Sequence, residues 1–430
     1  MSQGNAGAAP AAPQPTSRSL AVLTLTVLVP FGLGYFMSYL FRTVNAIISP
    51  QLVRDVGLTP ADLGLMTSAY FVTFAAFQLP LGIILDRYGP RKVQATLMMV
   101  AALGAALFAV GTDETTLVIA RAVVGLGVSG CLMAARKANV LWFPPEKIAL
   151  VNGLTFAFGT AGALSTTVPL EILVQSVPWR TVFWWLAGVS VLAGILIYTL
   201  VPVRARAIRE AAAAGAPRIT DQVAELKNIY GSRFFWRVAT IVLLHNGLFL
   251  AYQSLWAAPW LRDVAGLDRA GVADAMFMFN AGMLVGVLTI GVFAERIQRL
   301  GVPTIVPAGV GMGLSILVQC LFALEWTAYP ALLCALFGYF GSSAVLSYTV
   351  FSQHFPERLS ARVHTANNMM TFIAAFFMQW AVGAIIGLYP SPGEGLYSAE
   401  GHQLALIVFI AIEFCGYVFF LWPQRKREDA

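Results

Sequence analysis

Arg42 is the residue in this chain with most scope for chemistry, because it lies inside an apolar run of membrane length, 20–47. Tyr35, Ser38, Tyr39 and Asn45 stand on the same stretch, with neighbours along one face three or four residues apart. In a helix that spacing gathers them into one polar stripe. A guanidinium is a fixed fork of donors that suits a carboxylate or a phosphate. An ionisable side chain within a membrane span is a functional position by default. The competing reading for Arg42 is snorkelling to the outer interface, and its partners on the same face speak against it.

Acids inside the apolar runs are few. Glu171 is near the outer end of the fifth run, Glu413 is within the twelfth, and Glu325 lies just beyond the ninth. Proton coupling through a carboxylate therefore has thin support. His245, in the seventh run, is the remaining titratable candidate, since free imidazole titrates near a pKa of about 6.5. A lone membrane histidine is more often a hydrogen-bonded packing residue. A proton could also travel on the substrate, or anions could exchange without one.

Arg136 and Lys137 stand near the end of the fourth run. Interfacial anchoring explains both; a sharper reading gives Lys137, with Asn152, a second positive contact to substrate. With Arg42 they would make a vestibule that concentrates anions. The second half offers neutral groups: Tyr252, Gln253, Trp256, Asn280, Tyr348 and Asn367, with Asn368 and Gln379. Some of these must merely bridge helices. A cavity cationic on one side and amide or aromatic on the other suits a small organic anion.

The elements that must position these residues are membrane helices. Hydrophobic residues make up 58% of the chain and charged ones 11%, with a mean hydropathy of +0.74; soluble domains carry about 25% charged residues. Apolar runs of about twenty or more residues fall at 20–47, 60–84, 94–112, 116–141, 148–173 and 180–202, then at 237–261, 272–294, 303–323, 329–353, 363–388 and 402–422. Residues 1–19 read as a disordered tail, 203–236 as a polar, partly helical linker, and 423–430 as a second tail. The first run is too long for a signal-peptide core and reads as a retained helix. If both tails are cytoplasmic, most of the 27 Lys and Arg fall on that side; Arg54, Arg180, Arg262 and Arg269 lie opposite, and Arg42 and Arg121 inside spans. The net charge of +6 is then topology rather than a nucleic-acid footprint.

Between the second and third runs the chain reads Gly82-x-x-x-Asp86-Arg87-x-Gly89-x-Arg91-Lys92. Gly89 and Pro90 force a reversal, and Asp86 can pair with the motif's cations or face a helix N-terminus. The motif recurs as Gly291-x-x-x-Glu295-Arg296. Gly125-x-Gly127 leading to Phe143-Pro-Pro-Glu146 is likewise echoed by Gly338-x-x-Gly341 leading to Phe355-Pro-Glu357.

These features resemble the major facilitator superfamily. The repeated loop is similar to its signature between helices 2 and 3 and the copy between helices 8 and 9. Arg121-x-x-x-Gly125-x-Gly127 is similar to its helix-4 motif. The resemblance implies an all-α integral membrane protein of 12 transmembrane helices in two pseudo-symmetric six-helix bundles, 20–202 and 237–422, with substrate between them. Ser38-x-x-x-Arg42, Pro50 and Leu58-Thr-Pro-Ala-Asp62-Leu-Gly64 resemble the organophosphate:phosphate antiporters and the anion:cation symporters, which implies that Arg42 holds the substrate's anionic group. The chain departs from both. The antiporters' second arginine, in helix 7, is absent. The symporters' acids before the helix-1 arginine and after the helix-4 glycine are here Phe41 and Val128, which puts the role of Arg121 between gating and packing.

The expected function is a secondary transporter of a small organic anion, monomeric, in a bacterial inner membrane, with a coupling proton or counter-anion. Drug, siderophore or metal transport is the alternative, and a transporter-like sensor a second. An enzyme is disfavoured: no nucleophile and base cluster, no phosphate-binding loop appears, and His245, His354, His364 and His402 are scattered. Cys131, Cys320, Cys334 and Cys415 are isolated in apolar runs, so neither a disulfide framework nor a metal site is expected. No cofactor is implied.

Overall fold

The computed structural model describes residues 19–203, 226–393 and 396–422. The expected tail 1–19 (save Ser19), most of the linker 203–236 and the tail 423–430 fall outside the described residues.

Among the described residues the chain is helical throughout, with no strand. The spans are α1 Leu20–Val56, α2 60–88, α3 90–110, α4 Glu114–Trp142, α5 Pro145–Val174 and α6 Trp179–Leu200. They continue with α7 Arg233–Asp263, α8 Arg269–Arg299, α9 Ile305–Ala323, α10 Pro330–His354, α11 Glu357–Ile386 and α12 Ala399–Leu421. Helices α2 and α3 form one continuous 51-residue run in hydrogen-bonding terms, but Gly89 breaks it with φ 77°, ψ 157°. At 1.5 Å per residue that run is about 75 Å long, more than twice a bilayer core of about 30 Å. Two crossings are required, and twelve helices result.

Local chemistry fixes the ends. Thr59 caps α2 in a capping box with Asp62 and precedes Pro60 at the first helical position. Asp113, Ser232, Asp268 and Ser398 cap α4, α7, α8 and α12, each hydroxyl or carboxylate accepting an otherwise orphan amide. Two bonds to Thr116 hold the exposed Asp113 carboxyl below its ordinary range.

Packing repeats between the halves. Helix α1 lies on α5 as α7 lies on α11, and α3 on α6 as α9 on α12. Helix α4 crosses α2 and α3 where a Cβ at Gly125 or Gly127 would overlap the Tyr70 carbonyl oxygen and the Ala101 backbone. Helix α10 crosses α8 where one at Gly338 would overlap the Phe279 carbonyl oxygen. Among lipids no hydrophobic effect favours helix on helix, so close approach over small residues supplies the contact. Gly159 and Gly162 let α5 seat against Tyr35 and the Phe36 backbone, while Gly153 faces open space.

The two halves close on each other at the face opposite the basic one. Gly64 on α2 meets the Gln379 carbonyl oxygen and Trp256, and Gly383 on α11 meets Pro60. Trp256 Nε1 donates to Gln379 O at 2.8 Å. A polar bridge joins the halves there: Arg269 on α8 to Glu171 on α5, 2.9 Å. A cavity of about 280 Å³ beside it is lined by Ser49, Pro50, Pro259 and Arg262 among others.

Candidate functional site

Arg42 sits below that seal. Its guanidinium carbon is 4.5 Å from the Tyr39 ring centre, 5.9 Å from Phe74 and 5.4 Å from Phe372. Those rings come from α1, α2 and α11, so the arginine occupies the junction of the halves. It is 6% exposed, its Nε has no hydrogen-bond partner, and no carboxylate pairs with it among the described residues. Ring faces attract a cation, and the Tyr70 hydroxyl lies within hydrogen-bonding reach of the guanidinium, while Nε in its plane is left without a partner. An anion could approach in that plane and take a bidentate grip.

The rest of the stripe is held in place. Tyr35 and Tyr39 pack edge to face at 5.2 Å. The Tyr70 hydroxyl on α2 donates to Ser38 O at 3.1 Å. Asn45 Nδ2 donates to Thr67 Oγ1 at 3.0 Å, and its Oδ1 is unpartnered. Arg121 is fully buried on the other side of Tyr70, 5.4 Å from that ring, with Nη1 donating to Phe41 O at 2.8 Å. It clamps α4 to α1 in the interior, away from the Gly82–Lys92 loop.

A second cation faces the space between the halves, and it is Arg136. It lies over Phe156 at 5.4 Å and within electrostatic reach of Tyr35, Tyr348 and His364. Tyr35 is also within reach of Arg42, so one side chain links the two cations. Lys137, the residue expected there, is instead ion-paired with Asp86 of α2, and Asn152 accepts from Asn139 Nδ2 at 2.9 Å. Adjacent helical positions point about 100° apart, and one residue decides which cation meets the cavity. From α10 and α11 come Tyr348, its ring tilted against that of His364 at 5.0 Å, and Asn367, buried with Oδ1 unpartnered.

The remaining expected contacts lie elsewhere. Gln253 donates to Asn280 Oδ1 at 3.1 Å, and Asn280 to Met276 O at 2.9 Å, so the two amides satisfy each other inside the second half. Tyr252 is enclosed by Phe322 and Phe337, and Trp256 belongs to the seal. His245 is fully buried against Glu413.

In the loop motif, Asp86 takes its partner from α4 rather than from the motif's own cations. Arg91 bonds the Tyr198 carbonyl and lies 4.7 Å over that ring; Arg87 covers Tyr88 at 5.4 Å, and Lys92 is exposed. Gly82 and Gly291 have nothing within 4 Å of a Cβ. Glu295 pairs with Arg299 at 2.6 Å, an exposed i,i+4 contact, leaving Arg296 exposed.

Comparison with known proteins places this geometry. The probable sulfoacetate transporter SauU of Cupriavidus necator is 25% identical over 286 residues, 62% of this chain and 64% of that protein, a little under two thirds of its length. The probable galactarate/D-glucarate transporter GudP of Escherichia coli is 22% identical over 427 residues, 91% of this chain and 92% of that one. Among solved structures the nucleoside transporter NupG superposes with a TM-score of 0.72 at 14% identity, covering 94% of this chain and all of that one. Twelve membrane helices in two repeated halves are the architecture of rocker-type transporters. The profile of the Major Facilitator Superfamily matches residues 31–379, and the chain belongs to that family; it is not an enzyme.

Proposed function

We propose that the chain is a secondary transporter of a small organic anion, carboxylate or sulfonate, with Arg42 holding the anionic group. One observation carries the reading: a buried arginine at the junction of the halves, ringed by aromatics and without an acid to neutralise it. An uncompensated buried charge is costly, and a bound anion would relieve that cost. Arg136 would receive the anion on the basic side, and Tyr348 and Asn367 would contact its body. The relatives named for sulfoacetate and for galactarate or D-glucarate support this class of substrate.

The basic face is read as cytoplasmic by the positive-inside rule, in a bacterial inner membrane, with both termini on that side and the chain a monomer. The structure then corresponds to an inward-facing state, closed outside by the Glu171–Arg269 bridge and the Gly64–Gly383 contact. Alternating access requires both to part.

A thermal-shift panel on the detergent-purified chain tests the reading, with sulfoacetate, D-glucarate, phosphate esters, inorganic anions and lipophilic cations each in excess. A ligand at about a hundred times its Kd stabilises the folded state by about 2.7 kcal/mol. The expected result is a shift with organic anions that disappears in Arg42→Gln. Shifts with cations alone, or equal shifts in both forms, contradict it.

A further inference from the structure

The second half contains a buried titratable pair that the anion site does not use. His245 on α7 and Glu413 on α12 meet with Nδ1 2.8 Å from Oε1, and neither side chain is exposed. The other ring nitrogen, Nε2, lies 3.0 Å from Gly341 O, where α10 passes into the 3₁₀ turn Ser342–Val345. A carbonyl oxygen only accepts, so Nε2 carries a proton. The Nδ1–Oε1 contact then needs one more, whichever of the two atoms formally owns it. With that proton the pair is neutral as a unit. Without it, a carboxylate faces a nitrogen lone pair in a low-dielectric interior.

Unsatisfied polar atoms collect on the same helices. Glu413 Oε2, both amide atoms of Gln319, and the hydroxyls of Ser315 and Ser343 are buried without partners. Gly311 lies against Ser343 and Gly313 against the Tyr417 hydroxyl, so α9, α10 and α12 enclose this region together. Of the titratable groups on the surrounding helices, Cys320 of α9 is within electrostatic reach of Glu413. Tyr417 of α12 turns its hydroxyl toward Gly313 of α9, and other titratable groups on these helices are engaged away from the pair. Arg237 of α7 binds Phe420 O, Tyr339 of α10 bonds Thr289, His364 of α11 bonds Ser352, and His402 of α12 bonds Asp263.

We propose that His245 and Glu413 form a proton-binding site that couples a transmembrane proton gradient to anion movement, apart from the anion site at Arg42. The inference rests on the transporter reading above. One proton enters from one aqueous side, occupies the Nδ1–Oε1 bridge and leaves to the other side; only N–H and O–H bonds change. Its loss would unclasp α7 from α12 and alter the load on Gly341 O at the break in α10, the helix that carries Tyr348 into the cavity.

The test reconstitutes the full chain in liposomes as native, Glu413→Gln and His245→Gln, with labelled D-glucarate and sulfoacetate as probes. A gradient of one pH unit, about 1.4 kcal/mol, drives about tenfold accumulation per coupled proton. The native chain is expected to accumulate anion, whereas both variants reach equal concentrations yet still exchange labelled for unlabelled anion. Variants that accumulate like the native chain overturn the proposal, as do folded variants that lose both modes together. If the native chain moves neither probe, the anion reading fails separately. The proton site is then read from infrared difference spectra of the solubilised chain between acidic and alkaline buffer. A protonated-carboxyl or imidazolium band that changes between the two buffers in the native chain and vanishes in Glu413→Gln or His245→Gln supports the site; a native spectrum with neither overturns it.

Discussion

A guanidinium wrapped in aromatic faces keeps its charge but loses its water, and its hydrogen-bonding plane then decides what it binds. For Arg42, three rings cover its faces and Nε is unclaimed. Charge-assisted hydrogen bonds contribute about 1.5–3 kcal/mol each, so Arg42→Gln should weaken anion binding by about ten- to a hundredfold, read by titration calorimetry with D-glucarate or sulfoacetate. Arg42→Lys keeps the charge but loses the fork; it is expected to recover only part of the affinity. Arg136 is half-buried and would meet the anion first on entry from the basic side, so Arg136→Gln should slow entry from that side more than it weakens equilibrium binding. An equal loss in both measurements would remove Arg136 from the entry route.

Helix crossings set where those side chains point. Gly125 of α4 touches the Tyr70 carbonyl, and Tyr70 separates Arg42 from Arg121, so the crossing fixes the spacing of the two arginines. Gly125→Ala should cost about 1–3 kcal/mol by overpacking and lower the melting temperature, whereas Gly153→Ala, facing open space, should leave it unchanged. The twelve helices, the repeat and the Arg42 stripe were legible in the sequence because hydropathy, glycine spacing and the charge-rich turn are all local signals. Three features were not. Whether Arg136 or Lys137 meets the cavity depends on helix rotation. The Asp86–Lys137 pair depends on which helix α2 touches. The meeting of His245 with Glu413 spans 168 residues and has no local signature. Gln253 and Asn280 show the converse: each alone resembles a recognition group, and only the fold reveals that they satisfy one another.

Across the whole molecule, the state of the transporter is set by which face is closed. The seal combines backbone-close glycine contacts with one ion pair, Glu171–Arg269, in which Arg269 is half exposed. Exposed pairs contribute only about 0–1 kcal/mol, but Glu171 is buried, so parting this bridge leaves a buried carboxylate unpaired and costs more than a surface pair would. Glu171→Arg places like charges at the seal and should open it. A thiol introduced by Ser49→Cys, buried beside the bridge, should then react faster with a membrane-impermeant maleimide from the outer side. Unchanged labelling would assign closure to the glycine contacts alone. The central claim, that this fold moves an organic anion gripped by Arg42, is tested most directly by uptake of labelled sulfoacetate and D-glucarate into liposomes bearing the native chain or Arg42→Gln. Saturable uptake of at least one anion by the native chain, abolished in a folded Arg42→Gln, is the predicted result. Equal uptake by both forms, or none by either while a cation is moved, would contradict it.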